Sequence, residues 1–308
     1  MQKISIVTPT YNEEENIELL CKEVSNELSK INYDYEHIII DNNSSDRTIP
    51  ILRNICKNDK NVKVIINNKN YGHINSPFYG LLQSSGDATI FISADFQDPI
   101  NLIPQMIKKW EEGKKVILLQ KKSSKENIFM KNLRKIYYRV LASFSYNNLT
   151  LDTTGSGLYD KSIIENLRSL NDPIPYLRGI VAEIESDISV LPFDQPKRKF
   201  GKTKNNFFTL VDMAMLGFVK HSKLPLRMMI IFGAIISFIS IFVSIIFLFY
   251  KLLYWNSFSL GIAPIIIGFF FISAIQILLL GVLGEYISVT LTHVRSLPLV
   301  VEKERINF

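Results

Sequence analysis

The sequence has very little cysteine: Cys21 and Cys56 are the only two among 308 residues. Their spacing matches no metal-binding pattern, and a pair of isolated cysteines is typical of a reducing compartment. The N-terminal segment also lacks a charged stretch followed by an apolar core, so we expect no signal peptide. Internal repeats and low-complexity linkers are missing as well. These absences argue against a disulfide-stapled secreted domain and against a repeat protein.

Charge is absent from two long stretches near the C-terminus, Met228–Tyr250 and Leu252–Gly284. A membrane-spanning helix needs about 20 apolar residues. We therefore predict two transmembrane helices, at about 228–250 and 262–284, joined by a short loop. The alternative is a pair of buried core helices in a soluble protein, but core helices rarely run this long without a polar face.

Cations flank the two predicted helices unevenly. Three precede the first helix and three follow the second, whereas the connecting loop has only one: Lys220, Lys223 and Arg227, then Arg295, Lys303 and Arg305, against Lys251. The positive-inside rule then predicts a multi-pass protein of the inner (cytoplasmic) membrane, with the large domain and both termini in the cytoplasm. The net charge of +6 is concentrated in basic patches that suit an anionic membrane surface, and no nucleic-acid signature is present.

Short apolar runs alternate with helical patterns over the first 120 or so residues. Predicted strands are residues 4–8, 37–41, 62–67, 88–93 and 115–120, and predicted helices are residues 14–29, 46–57, 74–84 and 100–112. This alternation is typical of an α/β domain with a mostly parallel, Rossmann-like sheet. Ligands of such sheets bind beyond the carboxyl ends of the strands. The residues that follow each strand are therefore the candidates for the functional site.

Candidate site residues, most of them polar, follow each of the first four strands. They are Pro9, Tyr11 and Glu13 after the first, Asp41 and Asp46 after the second, His73 after the third, and Ser93, Asp95, Gln97 and Asp98 after the fourth. Carboxylates can accept hydrogen bonds from a base N–H or from ribose hydroxyls, and they can also bind a hard cation. The pattern therefore predicts a nucleotide site that includes a divalent metal.

These segments, read in order as SIVTPTYNEEENI, IIIDNNSSDRT, NYGH and ADFQDP, resemble the family 2 glycosyltransferases with a GT-A fold. The segment RKFGKTK, the two apolar stretches and the closing LGEY are similar to the polyprenyl-phosphate branch of that family. The resemblance implies four parts: a catalytic domain at 1–204, an amphipathic juxtamembrane helix at 205–227, the two transmembrane helices within 228–290, and a cytoplasmic tail at 291–308. For the juxtamembrane helix, the alternative is that residues 205–221 pack against the soluble domain.

The resemblance also implies roles in binding the donor. Pro9, Tyr11, Glu13, Asp41, His73, Ser93 and Asp95 are expected to border the nucleotide sugar. Simpler explanations remain open for several of them: Glu13 could complement a helix N-terminus, Asp46 could cap a helix, and His73 could be an ordinary loop residue.

The acidic cluster is expected to bind Mg²⁺ or Mn²⁺ together with the donor diphosphate, through Asp95 and Gln97 as ligands. Asp95, Gln97 and Asp98 are the predicted catalytic residues. The cluster could instead be only a turn that caps the helix beyond Pro99. The usual family pattern begins with aspartate, and Ser93 stands in that place here, so this chain has one carboxylate fewer for a metal ion.

The basic strip Arg198, Lys199, Lys202 and Lys204 is expected to bind the phosphate of a lipid acceptor, since both arginine and lysine bind phosphate. General attraction to anionic headgroups is the alternative. Many relatives carry arginine where this chain has Gly157. If that arginine binds phosphate, a different cation must replace it, and Arg134, Arg139 and Arg178 are the candidates.

The expected function is inverting transfer of a hexose from a nucleotide sugar, with UDP-glucose favoured, to undecaprenyl or another polyprenyl phosphate. The product would serve glycan modification at the cell wall or surface. Two alternatives remain: transfer to a lipid or polysaccharide hydroxyl, and a non-catalytic membrane scaffold that binds nucleotide sugar. The expected partners are the donor, the polyprenyl phosphate, the lipid bilayer and further copies of the chain, with a tetramer plausible by resemblance; nucleic acid is not expected.

Overall fold

The computed structural model describes residues 2–123, 153–170, 172–196, 262–295 and 297–308, together with scattered positions between 231 and 254. The chain forms two compact units. The first comprises Met1–Val211 and Arg295–Phe308, and the second comprises Asp212–Val294. The predicted amphipathic segment 205–227 lies outside the described residues.

The first unit is built on a sheet of eight described strands. Their bounds are β1 Lys3–Thr10, β2 Asp34–Asp41, β3 Val62–Asn67, β4 Ala88–Phe91, β5 Val116–Ser123, β6 Thr153–Asp160, β7 Ile188–Asp194 and β8 Glu302–Ile306. The spatial order is β7-β5-β6-β4-β1-β2-β3-β8. Strands β1 to β4 pair in parallel, as do β5 and β7, whereas β6 and β8 run antiparallel to their neighbours. The predicted mostly parallel α/β sheet is confirmed.

Helices cover both faces of this sheet. Their bounds are α1 Ile17–Leu28, α2 Thr48–Asn58, α3 Gly72–Leu82, α4 Ile103–Glu111, α5 Lys161–Ser169 and α6 Leu177–Ile184. Helices α1, α2 and α4 pack on one face around Ile6 and Ile39, and α3, α5 and α6 pack on the other around Val7 and Ile40. Neighbouring strand residues point to opposite faces, so burial of both faces requires the continuous apolar runs seen in the sequence.

The segment TTGSGLYD is rich in turn-forming residues, yet it forms the antiparallel strand β6. Gly157 pairs with both Phe91 and Leu118, so the backbone at this point lies between two strands. A β-carbon at position 157 would lie 2.0 Å from the carbonyl oxygen of Ile117. The glycine is therefore a packing requirement of the strand, and an arginine side chain cannot occupy this position in the observed geometry.

The end of the chain, predicted only as a tail, supplies the edge strand β8. Asn307 donates hydrogen bonds from Nδ2 to the carbonyl oxygens of Cys56 (2.8 Å) and Val62 (2.9 Å). Tyr79 Oη donates to Glu302 Oε1 at 2.9 Å. These contacts hold β8 against β3 and protect an edge that would otherwise expose unpaired backbone groups.

The second unit contains the helix α7, Ile262–Arg295, which extends about three turns beyond the predicted end at residue 284. Its stretch Ile275–Arg295 is long and apolar enough to cross a membrane, and it is the one such stretch among the described residues. The predicted two-helix hairpin is not shown, because only scattered positions of 228–250 are described.

Candidate active site

The parallel strands β1, β2, β3 and β4 end along one edge of the sheet. Thr10 pairs with Asp41, and Asp41 pairs with Ile66, so the loops after β1, β2 and β3 begin side by side. Because β6 runs in the opposite direction to β4, it brings its first residues to the same edge. The topology therefore gathers five segments that are far apart in sequence at one edge of the sheet.

The loops after β1 and β2 are locked together by a short chain of hydrogen bonds. Ser44 donates from N and Oγ to the two oxygens of Asp41, at 2.8 and 2.5 Å, and Asn12 N donates to Ser44 Oγ at 2.8 Å. Asn12 and Asn43 adopt positive φ angles of 55° and 64°. Asparagine tolerates this left-handed conformation better than most residues, which explains its presence at both turns.

Asp41, predicted to contact the base or ribose, is fully buried and already bonded to Ser44. Burial raises the pKa of this carboxyl group, and the hydrogen bonds from Ser44 oppose that effect. A carboxylate has about four acceptor positions, so two bonds to Ser44 leave capacity for a ligand. Pro9 and Tyr11 are half-buried beside it. Their roles in donor binding stay predictions.

Glu13 and Asp46 both make contacts that organise helix N-termini. Glu13 accepts from Asn16 Nδ2 at 2.6 Å through Oε2, just before α1 begins. Asp46 accepts from Thr48 N at 3.0 Å in the first turn of α2. The helix-terminus explanation therefore fits the observed contacts of both residues, and a donor contact of Glu13 stays a prediction.

A network of asparagine side chains shapes the loop after β3. The buried Asn42 accepts through Oδ1 from Asn67 Nδ2 (3.0 Å) and from Tyr71 N (2.9 Å), and it donates to Asn70 Oδ1 at 2.9 Å. His73 is exposed in the first turn of α3, directly after the loop held by this network. Sequence reasoning placed His73 at this edge but missed the network, although the repeated asparagines of DNNSSD and NNKNYGH were its signal.

The turn after β4 holds the acidic cluster, with Asp95 and Gln97 half-buried and Asp98 buried. Gln97 N donates to Asp95 Oδ1 at 3.1 Å, which closes a local turn. Phe96 between them has a φ of 59°. A bulky residue in this conformation is strained, and such strain is commonly found at functional sites. The turn presents Asp95 and Gln97 at the edge of the sheet.

Asp98 has a different position from Asp95. Its Oδ2 accepts three hydrogen bonds, from Ser93 N at 2.9 Å, Ser93 Oγ at 2.6 Å and Ser156 Oγ at 2.7 Å. Asp98 therefore ties the two ends of the acidic turn to each other and to β6. This geometry makes Asp98 a residue that positions Asp95, and it gives Ser93 a defined partner in the turn. Ser156 was missed by sequence reasoning because nothing in GSG indicates a link to residue 98.

A positively charged side chain from α6 lies near this acidic turn, next to β6. The side chain of Arg178 lies over Gly155, since a β-carbon at position 155 would stand 3.5 Å from its Cγ and Nε. Gly155 is followed directly by Ser156, which binds Asp98. Of the three cations proposed to replace the missing arginine, Arg178 is therefore beside the acidic turn, and Arg134 and Arg139 lie outside the described residues. The basic strip Arg198, Lys199, Lys202 and Lys204 lies outside them too.

The acidic turn fits a divalent cation that is shared with phosphate. No cluster of three or more His, Cys, Asp or Glu side chains that could hold a metal exists among the described residues. Mg²⁺ commonly uses only one or two protein carboxylates and takes its remaining ligands from phosphate and water. Asp95 and the amide oxygen of Gln97 are a suitable donor set for such a site.

The sequence of residues 5–168 matches the model of the glycosyl transferase family 2. The chain belongs to this family. Proteins similar to it over nearly their whole length include an uncharacterized glycosyltransferase of Bacillus subtilis, 30% identical over 96% of this chain and 92% of that protein. A bactoprenol glucosyl transferase of Shigella phage SfII is 27% identical over 98% of both chains. This chain is accordingly a glycosyltransferase.

The fold agrees with that of a solved structure. Glucosyl-3-phosphoglycerate synthase from Mycobacterium tuberculosis, in complex with Mn²⁺, UDP and glucosyl-3-phosphoglycerate, matches with a TM-score of 0.52. The match has 19% sequence identity and covers 71% of this chain and 78% of the other. At this identity the similarity supports the GT-A-like α/β fold of the first unit.

Proposed function

We propose that this glycosyltransferase moves a hexose, with UDP-glucose the favoured donor, to a polyprenyl phosphate such as undecaprenyl phosphate. The full-length similarity to a bactoprenol glucosyl transferase supports this acceptor. The structural observation that carries the proposal is the placement of Asp95. It lies half-buried on a turn held by Asp98 and Ser156, between the loops after β1 to β3 and the start of β6.

The donor is proposed to lie over the loops after β1, β2 and β3. There Tyr11 and Asp41 would border the nucleotide, and the locked turns keep these groups in place before the donor arrives. Preorganised groups lose little conformational entropy on binding, so this rigidity favours donor affinity. Asp95 and Gln97 would hold Mg²⁺ or Mn²⁺. The bound ion would neutralise the charge that develops on the leaving nucleotide diphosphate.

The acceptor phosphate is proposed to attack from the β6 side of the acidic turn. A phosphate monoester has a second pKa of about 6 and is mostly ionised at pH 7, so its oxygen needs no strong general base. That oxygen bonds to the anomeric carbon while the bond to the nucleotide diphosphate breaks, and the anomeric configuration inverts. Arg198, Lys199, Lys202 and Lys204 would bind the phosphate.

The apolar part of the acceptor is proposed to lie in the bilayer. The stretch Ile275–Arg295 of α7 supports a membrane location. A two-helix anchor, with both termini and the catalytic domain in the cytoplasm, is the proposed topology. The prenyl-linked product would then serve glycan modification of the cell wall or surface.

The test uses the full-length protein in detergent with Mn²⁺, a panel of radiolabelled nucleotide sugars and a short-chain polyprenyl phosphate. We expect label from UDP-glucose to enter the organic phase in an acid-labile linkage. Asp95→Asn should lower kcat at least about 100-fold, the scale of losing a charge interaction made mainly in the transition state. Asp34→Asn is the matched control, because Asp34 is exposed at the opposite end of β2.

Other outcomes would identify the alternatives. Transfer to a prenol or diacylglycerol hydroxyl in preference to the phosphate would indicate a different acceptor class. Donor binding without transfer to any acceptor would indicate a non-catalytic scaffold. Equal turnover of Asp95→Asn and Asp34→Asn would remove Asp95 from the reaction centre.

A further inference from the structure

Arg178 lies beside Gly155, whose neighbour Ser156 binds Asp98 of the acidic turn. Its side chain lies over Gly155, 3.5 Å from the position of a β-carbon there. Its helix, α6, follows a loop that is bound to α3, because Asn75 Nδ2 donates to the carbonyl oxygen of Pro173 at 3.2 Å. The loop before α6 is thus bound to the first turns of α3, the helix that carries His73.

The surroundings of Gly155 connect Arg178 to Asp98. Tyr159 Oη donates to the Gly155 carbonyl at 2.5 Å, and the next residue, Ser156, donates to Asp98 Oδ2 at 2.7 Å. Burial raises the pKa of Tyr159, while the nearby Arg178 lowers it and Asp98 raises it. Both charged groups therefore lie near the buried phenol of Tyr159.

Arg178 lies on the side of β4 that is away from the nucleotide loops. The sheet order β6-β4-β1-β2-β3 places the loops after β1, β2 and β3 on one side of Asp95 and places β6 on the other. A donor over the first side would present its anomeric carbon near β4. The space beside β6 and the start of α6 is then left for the second substrate.

We propose that Arg178 binds the phosphate group of the acceptor, an inference that rests on the proposed function. A phosphate monoester carries a charge of about −1.5 to −2 at pH 7, and it must approach a site that already contains Asp95 and Asp98. A guanidinium group offsets that repulsion and forms paired hydrogen bonds with phosphate oxygens. Arg178 supplies this cation from α6. An arginine at position 157 of β6 could not do so, because Gly157 packs directly against the backbone of Ile117.

Direct measurement of ligand binding distinguishes a phosphate-binding role of Arg178 from a structural role. The probe is farnesyl phosphate, titrated calorimetrically into full-length protein without donor, and farnesol serves as the probe without phosphate. UDP with Mn²⁺ is titrated separately. The variants are Arg178→Ala, Arg178→Lys and the control Lys114→Ala, whose side chain forms an exposed ion pair with Asp187 near the start of β5.

We expect Arg178→Ala to weaken farnesyl phosphate binding about 10- to 100-fold, the range for losing one hydrogen-bonded charge contact. Arg178→Lys should be intermediate, because the charge remains but the paired geometry is lost. Binding of farnesol and of UDP should change less than about twofold, and Lys114→Ala should match wild type.

Four outcomes would overturn the inference. Unchanged farnesyl phosphate affinity in Arg178→Ala would show that other groups hold the phosphate. A parallel loss of UDP binding would place Arg178 on the donor side, and a parallel loss of farnesol binding would indicate a structural defect. Wild-type protein that binds UDP but not farnesyl phosphate would overturn the proposed acceptor as well, so the wild-type titration distinguishes the two failures.

Discussion

Ser156 donates a hydrogen bond of 2.7 Å to Oδ2 of Asp98, although the two residues are 58 positions apart. Both side chains are buried, at 4% exposure each. The bond joins the antiparallel strand β6 to the turn that carries Asp95. The position of Asp95 therefore depends on a strand that contributes no predicted catalytic group of its own.

Ser156→Ala should lower kcat about 10-fold while costing about 1 kcal/mol of stability, because Asp98 keeps both donors from Ser93 and only one bond is lost. The measurements are steady-state kinetics and urea unfolding. Ser162→Ala is the matched control, since Ser162 donates a similar bond of 2.6 Å to Asp160 at the other end of β6. Equal kcat values for the two variants would show that the Ser156 bond does not position the turn.

Gly157→Ala should destabilise the domain by about 3 kcal/mol or more, because its β-carbon would lie 2.0 Å from the Ile117 carbonyl oxygen and force β5 and β6 apart. Gly113→Ala should cost only about 1 kcal/mol, since Gly113 has a φ of 94° but open space around it. Urea unfolding midpoints compare the two. A Gly157→Ala protein as stable as Gly113→Ala would contradict the packing argument.

Glu36 should contribute stability that disappears in acid. Burial alone would raise its pKa, but hydrogen bonds from Lys63, Ser5 and Lys3 outweigh burial and lower the pKa to about 2. A depressed pKa means that this stabilisation is present above the ordinary value of 4.5 and is lost as pH falls toward 2.

Glu36→Gln should therefore destabilise the protein by about 3 kcal/mol at pH 7, since Lys3 and Lys63 lose their shared partner. It should also flatten the stability curve below pH 4.5. Chemical denaturation at several pH values measures both effects. If the stability of Glu36→Gln and of wild type fell equally with pH below 4.5, the lowered pKa assigned to Glu36 would be contradicted.

His37 should add a second acid-sensitive step at higher pH. Its ring is buried, and burial lowers the pKa to about 4 from an ordinary 6.5. The folded protein then binds fewer protons than the unfolded chain between these values, so stability should fall as pH decreases from 6.5 to 4. Thr8 Oγ1, 3.0 Å from His37 Nε2, is its hydrogen-bond partner.

His37→Gln removes the titrating group but keeps a polar side chain. This variant should lose less stability than wild type between pH 6.5 and 4.5, as measured by urea unfolding at both pH values. A loss of the same size in both proteins would mean that another group controls this pH range.

Strands β1 to β5 were predictable because each contains an apolar run that is followed by polar residues. β6 was not, because the glycines of DTTGSGLYD carry the local signature of a turn while their contacts with β4 and β5 are non-local. β8 was also missed, since Glu302–Ile306 is mainly charged. Charged residues are common on edge strands, where one side of the backbone faces solvent, and they give no apolar alternation to detect.

The sequence by itself determined the alternation of strands and helices, the polar strand ends, the apolar C-terminal stretches and the membership of glycosyl transferase family 2. The first three features are local, because each depends on residues within one element, and family membership follows from the order of such local motifs along residues 5–168. Only the tertiary structure decided that Asp98 bonds to Ser156, that Gly157 must lack a side chain and that Arg178 lies beside the acidic turn. Each of those depends on which strands become neighbours, and strand order is set by packing the whole sheet.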